Sequence, residues 1–397
     1  SSGCKYAELD LLAARNFVTA ACYAELEQVI YLGGLADPQG PISPHMRSRI
    51  ETGLALREGC VPVTEFRAGV IIGPGSISFE MIRHLAEQLP ILPGPRWLLN
   101  LSQPIAIQDV ISYLLATLET VESRGETIEI GGTDVMTHGQ SMLLYSQQRR
   151  LKRYLFILPY IPIQFMAWVV GLRTPVPPTI ARPLIGGLQA PSIIRHPKAE
   201  EIFPDIHPVD YVTAVNTALL ALTPASVELI IHPGRPVQIL KQEGFLLDIR
   251  QVNTPASPEA IFNVLTNLGG RNGWLYADWL WRVRGWVDKL LGGPGLRGRS
   301  AGLVVGEVVD YYQVEACQPG RLLRLRAELK APGQGWMEWR VLPEGESTRL
   351  VQIGWFSPRG LPGFLYWYLL GPLHRLVFRG LLRRIIEKSR MYSKVEG

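Results

Sequence analysis

Cysteine is scarce in this chain of 397 residues. The four present, Cys4, Cys22, Cys60 and Cys317, are far apart and include no C-x-x-C pair. Neither a disulfide framework nor a zinc site is expected from them, and a reducing cytoplasm is the simplest setting. The chain starts at Ser1, without Met and without a charged n-region leading into an apolar h-region, so no signal peptide is read and the start looks like a cut. Basic runs interleaved with aromatics are missing too. The net charge of +5 and pI near 9.0 suit a partner bearing phosphates or anionic lipid, but Arg and Lys are scattered, and no nucleic-acid partner is expected. Nor is there a Ser/His/Asp arrangement, a supported carboxylate pair or a His/Asp cluster, which leaves no triad, carboxylate-pair or metal chemistry to argue from.

Apolar residues, by contrast, are plentiful. They make up 47% of the chain against 19% charged, and the mean hydropathy of +0.11 is high for a soluble globular protein. Some of that apolar surface is expected to serve a ligand or a membrane. The length has room for two or three domains, and two are expected.

Glu8 to Glu27 carries Leu11, Leu12, Phe17, Val18 and Ala21 at helical spacing, followed by the buried-strand run Val29-Ile30-Tyr31-Leu32 and the loop start Gly33-Gly34. A helix over 46–57, a strand over 63–68, the turn Gly73-Pro74-Gly75-Ser76 and a helix over 79–88 come next. A helix over 108–119 and a strand over 126–130 continue the alternation of a parallel α/β sheet.

Residues 154–171, YLFILPYIPIQFMAWVVG, are almost uncharged and follow Arg149, Arg150, Lys152 and Arg153. Three readings stand open: a buried hairpin or substrate-lid helix, an interfacial insertion giving peripheral membrane contact, and a spanning helix, against which Pro159, Pro162 and the short length argue. Residues 174–204 read as a Pro-rich irregular connection. A helix over 209–222 closes a first domain, 1–223, and 224–246 reads as a linker.

From Leu247 the pattern changes to strands (247–252, 303–313, 322–329, 335–342, 348–356), a helix after Ser257-Pro258-Glu259 and a long last helix from about Leu361 to Lys388. That is an α+β domain, 247–397. Its aromatics are dense. Trp279, Trp281, Trp336, Trp339 and Trp355 are candidates to line an apolar cavity under the last helix, core packing being the alternative for each. Arg282, Arg284, Asp288, Glu328 and Glu338 interrupt the apolar pattern, and any that points into the cavity would set the polarity of its ligand. His374 reads as a packed or surface histidine. Gly293-Pro294-Gly295-Leu296-Arg297-Gly298 fits G-x-G-x-x-G in letters but follows a helical stretch, so it reads as a loop.

The segments VIYLGGL, SPHMRSRIETGLAL, VTEFRAGVIIGPGSISFEMIRHL and QPIAIQDV resemble the atypical, NmrA-like branch of the extended short-chain dehydrogenase/reductase family, whose bacterial members are NAD(P)-binding proteins. LWRVRGWVDKLLGGPGLRGR, AELKAPGQGWMEWRV and FSPRGLPGFLYWYLLGPLHRLVF look like the uncharacterised domain fused to those members, which is similar to the helix-grip (START-like) fold. The resemblance implies an incomplete Rossmann-type parallel sheet, short of its N-terminal phosphate loop, followed by a START-like domain. NAD(P), with NADP favoured, is the implied cofactor and a small hydrophobic molecule or lipid the implied ligand.

The family's Tyr-x-x-x-Lys positions read His45-Met46-Arg47-Ser48-Arg49 here, and Gly33-Gly34 stand where its serine falls. His45 and Arg49 are therefore candidates for a modified acid–base pair, for a site that binds cofactor without standard turnover, or for a helix cap and a surface ion pair. Gly33, Gly34, Phe66, Arg67 and Ala68 fall where the cofactor would lie at the sheet's C-terminal edge. A salt bridge from Arg67 to Glu65 or Asp109 is the alternative for that residue. Gly73-Pro74-Gly75 reads as pocket wall or ordinary turn.

Overall fold

The computed structural model describes residues 2–37, 42–232, 234–299 and 303–393, which divide into two units, Ser1–Leu222 and Thr223–Gly397. In the first, α1 (Ser2–Tyr23) begins well before the predicted start and leads into β1 (Val29–Gly34). The next helix, α2 (Pro44–Leu56), begins at a proline, and the Ser43 hydroxyl accepts the Met46 N–H at 3.2 Å, a local instruction that fixes the helix start. β2 (Val63–Ala68) pairs parallel to β1, with Gly33 opposite Arg67 and Gly34 opposite Ala68. After the short β3 (Ile71–Ile72) come α3 (Ile77–Gln88), β4 (Ile91–Pro95), β5 (Leu101–Ser102), β6 (Ile105–Ala106), α4 (Ile107–Ala116) and β7 (Thr127–Ile130). β7 pairs parallel to β2 and gives the order β1-β2-β7. Strands alternating with helices around this parallel sheet make the unit α/β.

The unit closes with β8 (Met136–Thr137), α5 (His138–Gln148), β9 (Tyr154–Leu158), α6 (Ile163–Arg173), α7 (Pro178–Gly187), α8 (Lys198–Ile202) and α9 (Tyr211–Leu220). Thus 154–171 is neither a hairpin nor one helix: β9 pairs parallel to β4, and Pro159 and Pro162 separate it from α6. The stretch read as an irregular connection contains α7 and α8. No helix among the described residues is long and apolar enough to cross a membrane.

One expectation from cysteine spacing is corrected. Cys22, at the end of α1, and Cys60, in the loop before β2, form a disulfide with Cα atoms 5.8 Å apart. A separation of 38 residues leaves no local spacing signal; only the packing of α1 against α2 brings the thiols together.

The second unit is a seven-stranded antiparallel sheet, ordered β10-β11-β16-β15-β14-β13-β12. Its strands are β10 (Val237–Gln242), β11 (Phe245–Thr254), β12 (Val308–Val309), β13 (Tyr312–Gln318), β14 (Leu322–Ala327), β15 (Gly333–Glu344) and β16 (Ser347–Pro358). Two helices, α10 (Pro258–Leu265) and α11 (Asp278–Leu290), separate β11 from β12, and α12 (Gly360–Ser393) ends the unit. The predicted linker is therefore partly sheet: β10 sits inside 224–246, and its mixed polar pattern is that of an exposed edge strand. The predicted strand over 303–313 is broken by turns into β12 and the start of β13. α12 packs on β11, β16 and α10, and the core beneath it joins Phe378, Leu381 and Ile385 to Met337, Trp339 and Leu350. Burial of these large side chains, at roughly 1.5–3 kcal/mol each, drives the association of helix and sheet.

Candidate functional site

At the C-terminal edge of the parallel sheet the packing is tight. A Cβ on Gly34 would lie 2.7 Å from Met46 Cε, so the glycine lets α2 approach β1. Phe66 is fully buried and packs into the core beside Tyr113 and Phe203, and Ala68 is buried with it. Arg67 finds its counter-charge internally: its Nε donates to Glu65 Oε1 at 2.8 Å, and Arg57 approaches the other carboxylate oxygen at 3.4 Å. Asp109, the other partner weighed for Arg67, accepts the backbone N–H of Val209 at 3.0 Å. Gly73-Pro74-Gly75 delivers the chain to Ser76, which caps α3.

His45 lies in the first turn of α2. Burial, with Arg49 nearby, holds its pKa below the usual histidine range, so the ring is neutral around pH 7. Arg49 is ion-paired with Asp10 on α1, and the Ser48 hydroxyl donates to the same carboxylate oxygen at 3.2 Å. The Arg49 carbonyl accepts from Tyr31 Oη at 3.0 Å. The Arg49 charge thus ties α2 to α1.

The second unit contains a cavity of about 90 Å³ between the sheet and α12. Tyr312, Met337, Gly354, Phe356, Tyr366, Trp367, His374 and Phe378 are among its walls. Gly354 lets the Phe378 ring lie close on the sheet: a Cβ there would sit 2.6 Å from it. Strand alternation decides which tryptophans can serve it. Met337 pairs with Gly354 on the face under α12, so the adjacent Trp336 and Trp355, paired with each other, carry their side chains on the opposite face. There Phe245 meets both rings edge-on, at 5.7 and 5.2 Å. Both residues border the cavity from their strands without turning their indoles into it.

The remaining tryptophan candidates are elsewhere. Trp339 is wholly buried, its Nε1 donating to Gln352 Oε1 at 3.0 Å, and Gln352 in turn donates to the Phe378 carbonyl. Trp281 stacks on Trp274 at 4.3 Å in the same core. Trp279 is 65% exposed, on the outer side of α11 with Val283, Trp286 and Leu290.

The polar part of the cavity comes from residues that the aromatic count did not single out. His374 stacks on Phe378 at 5.5 Å, burial depresses its pKa to about 4, and its Nδ1 is buried without a hydrogen-bond partner among the described residues. Burial also raises the pKa of the Tyr312 phenol, which stays protonated and able to donate. Arg284 of α11 is close enough to act electrostatically on Tyr311, Tyr312 and His374, and no carboxylate pairs with it among the described residues.

The other charges flagged with Arg284 are occupied. Arg282 pairs with Asp278, Glu328 with Arg297, and Glu338 with Arg324 and Arg340. Asp288, four residues after Arg284 and its natural helical partner, instead accepts the backbone N–H groups of Gly295 and Lys330. Asp248, the acid that acts electrostatically on His374, is held by both arms of Arg250 at 2.8 and 2.9 Å. The cavity therefore combines aromatic walls, a neutral imidazole and a phenol, and the guanidinium that acts electrostatically on the last two has no ion pair among the described residues.

Residues 243–381 match the family described as "Protein of unknown function (DUF2867)", less than half of the chain. No curated protein matches. Among solved structures, the chain is similar to TunA, an NAD-dependent NDP-hexosamine 5,6-dehydratase of tunicamycin biosynthesis, at 10% identity and TM-score 0.42, over 55% of this chain and 70% of that one. It is similar to UDP-glucose 4-epimerase of Thermotoga maritima at 14% and 0.41, over 56% and 72%. A third similarity is to UDP-glucuronic acid 4-epimerase of Bacillus cereus, solved with UDP-glucuronic acid and NAD, at 15% and 0.39, over 54% and 68%. At these identities and TM-scores the likeness assigns neither substrate nor cofactor to this chain.

Proposed function

We propose that the protein is a binding protein whose second unit takes a small molecule with an apolar body and a carboxylate head, on a helix-grip (START-like) scaffold. The observation that carries this reading is Arg284, a half-buried guanidinium that acts electrostatically on two residues of an aromatic cavity and has no acidic partner among the described residues. A buried or half-buried charge needs a counter-charge, and a ligand carboxylate supplies one in the bidentate geometry that arginine favours. Tyr312 and His374 complete the head-group contacts, and Phe356, Trp367 and Phe378 contact the apolar body.

Isothermal titration of the full chain with a medium-chain fatty acid and its alcohol tests it. The acid binds more tightly, and Arg284→Gln weakens it by about tenfold, the 1–2 kcal/mol of one charge-assisted contact, while leaving the alcohol unchanged. If neither compound binds, or if both bind alike to the two proteins, the reading fails.

A second reading, an NAD(P)-linked oxidoreductase with NADP favoured, is supported by the parallel order β1-β2-β7 and by the resemblance of the first unit. The His45 and Arg49 positions argue for cofactor binding without standard turnover: Arg49 is engaged by Asp10, and His45 lacks the phenol's chemistry. Thermal shift with NADPH and NADH, paired with a hydride-transfer assay on carbonyl substrates, distinguishes the possibilities. Stabilisation without turnover is expected; turnover overturns the non-catalytic reading, and no shift removes the nucleotide from it.

A further inference from the structure

From Val135 to Ala199 the chain contains no Asp or Glu but eight Lys and Arg, more than its entire net charge of +5. The same stretch carries the densest exposed aromatic surface of the first unit. In the β4–β9 pair, Ile91 lies opposite Tyr154 and Pro93 opposite Phe156, and all four are exposed on one face while Leu92 is buried on the other. Tyr160, in the proline turn that follows, is 80% exposed. On α6 the exposed large apolar side chains are Phe165, Trp168 and Leu172, one helical stripe, whereas Ala167 and Val170 pack inward against Met81 and Ile185. The Phe165 and Trp168 rings touch each other, with centroids 5.9 Å apart. Arg150 and Lys152 precede β9, Arg173 ends α6 and Arg182 lies on α7, all exposed and in no ion pair among the described residues.

We infer that this face docks on an anionic lipid bilayer, with the aromatic side chains at headgroup depth and the cations against lipid phosphates. Tryptophan and tyrosine favour that depth, and each Lys or Arg near an anionic surface adds attraction. An α6 of 11 residues suits shallow insertion, since crossing takes roughly 20. At the interface the free edge of a two-stranded pair keeps water for its backbone groups, which the hydrocarbon core denies. A second copy of the chain is a poorer occupant, because a two-fold contact through this face would set cations against cations.

Sedimentation of the full chain with phosphatidylcholine vesicles, with and without phosphatidylglycerol, tests the inference. Binding is expected to the anionic vesicles only, with release by high salt. Phe165→Ser with Trp168→Ser, and separately Arg150→Glu with Lys152→Glu, should each weaken it by about tenfold or more. All four side chains are exposed, so circular dichroism and melting should confirm intact folds. Failure to bind either vesicle, equal binding to both, or binding that neither double variant weakens overturns the inference. So does a wild-type dimer in sedimentation velocity that the Phe165/Trp168 variant dissolves, which would assign the face to a second copy.

Discussion

His374 illustrates how little a single residue type reveals. Read from sequence it is one histidine on an apolar helix; in the structure it is a cavity wall whose Nδ1 has no hydrogen-bond partner among the described residues. Its pKa, about 4 in the folded protein against 6.5 for an unperturbed ring, has a definite consequence. Because the folded value is depressed, the unfolded chain takes up the proton first as pH falls. The stability contributed by the neutral ring is complete above about pH 6.5 and is lost progressively toward about pH 4, amounting to roughly 2–3 kcal/mol. His138, also depressed to about 4 by burial, adds a similar loss in the first unit. Urea unfolding between pH 7 and 4 should show His374→Phe with a flatter profile than wild type by about that amount; superimposable slopes would mean that the ring does not titrate with folding. Arg284 was visible as an odd charge on an aromatic helix, but Asp288 at i+4 offered it a partner on paper. Only the structure shows Asp288 engaged by the Gly295 and Lys330 amides.

At the scale of elements, those marked by local chemistry were legible. Ser43-Pro44 starts α2, Ser257-Pro258-Glu259 starts α10, and the apolar runs of β1 and β2 announce buried strands. β10 was not legible: its polar alternation is that of linker and edge strand alike, and pairing with β11 decides between them. The same holds for β9 and α6, where one uncharged run divides at prolines into a strand and a helix. The Cys22–Cys60 disulfide belongs here too, because it ties the end of α1 to the loop after α2. Closing a loop of this length restricts the unfolded chain by about 3–4 kcal/mol in the chain-entropy account. Cys60→Ser is therefore expected to lower the denaturant midpoint by an amount equivalent to about 2–4 kcal/mol, and reductant to do the same to wild type but not to the variant. An unchanged midpoint in both would sever the bond from the stability of this unit.

At the scale of the molecule, the second unit's sheet begins earlier than residue 247, at β10, but the passage from alternating helices and strands to consecutive strands and a long helix was readable because composition and periodicity are local properties. So were the α/β and α+β classes of the two halves, the wealth of aromatics, and the cluster of cations before an uncharged run. Tertiary structure decided what each aromatic does. A two-residue repeat sends Trp336 and Trp355 to one face of the sheet and Met337 and Gly354 to the other, but which face the last helix covers is settled by packing. It also decided which charges are spent: Arg49, Arg67 and Asp248 find partners inside the fold, and Arg284 has no ion pair among the described residues. Sequence determines the elements because their signals lie within a few residues; the site depends on side chains tens of residues apart meeting or missing one another, and that is known only once the chain has folded.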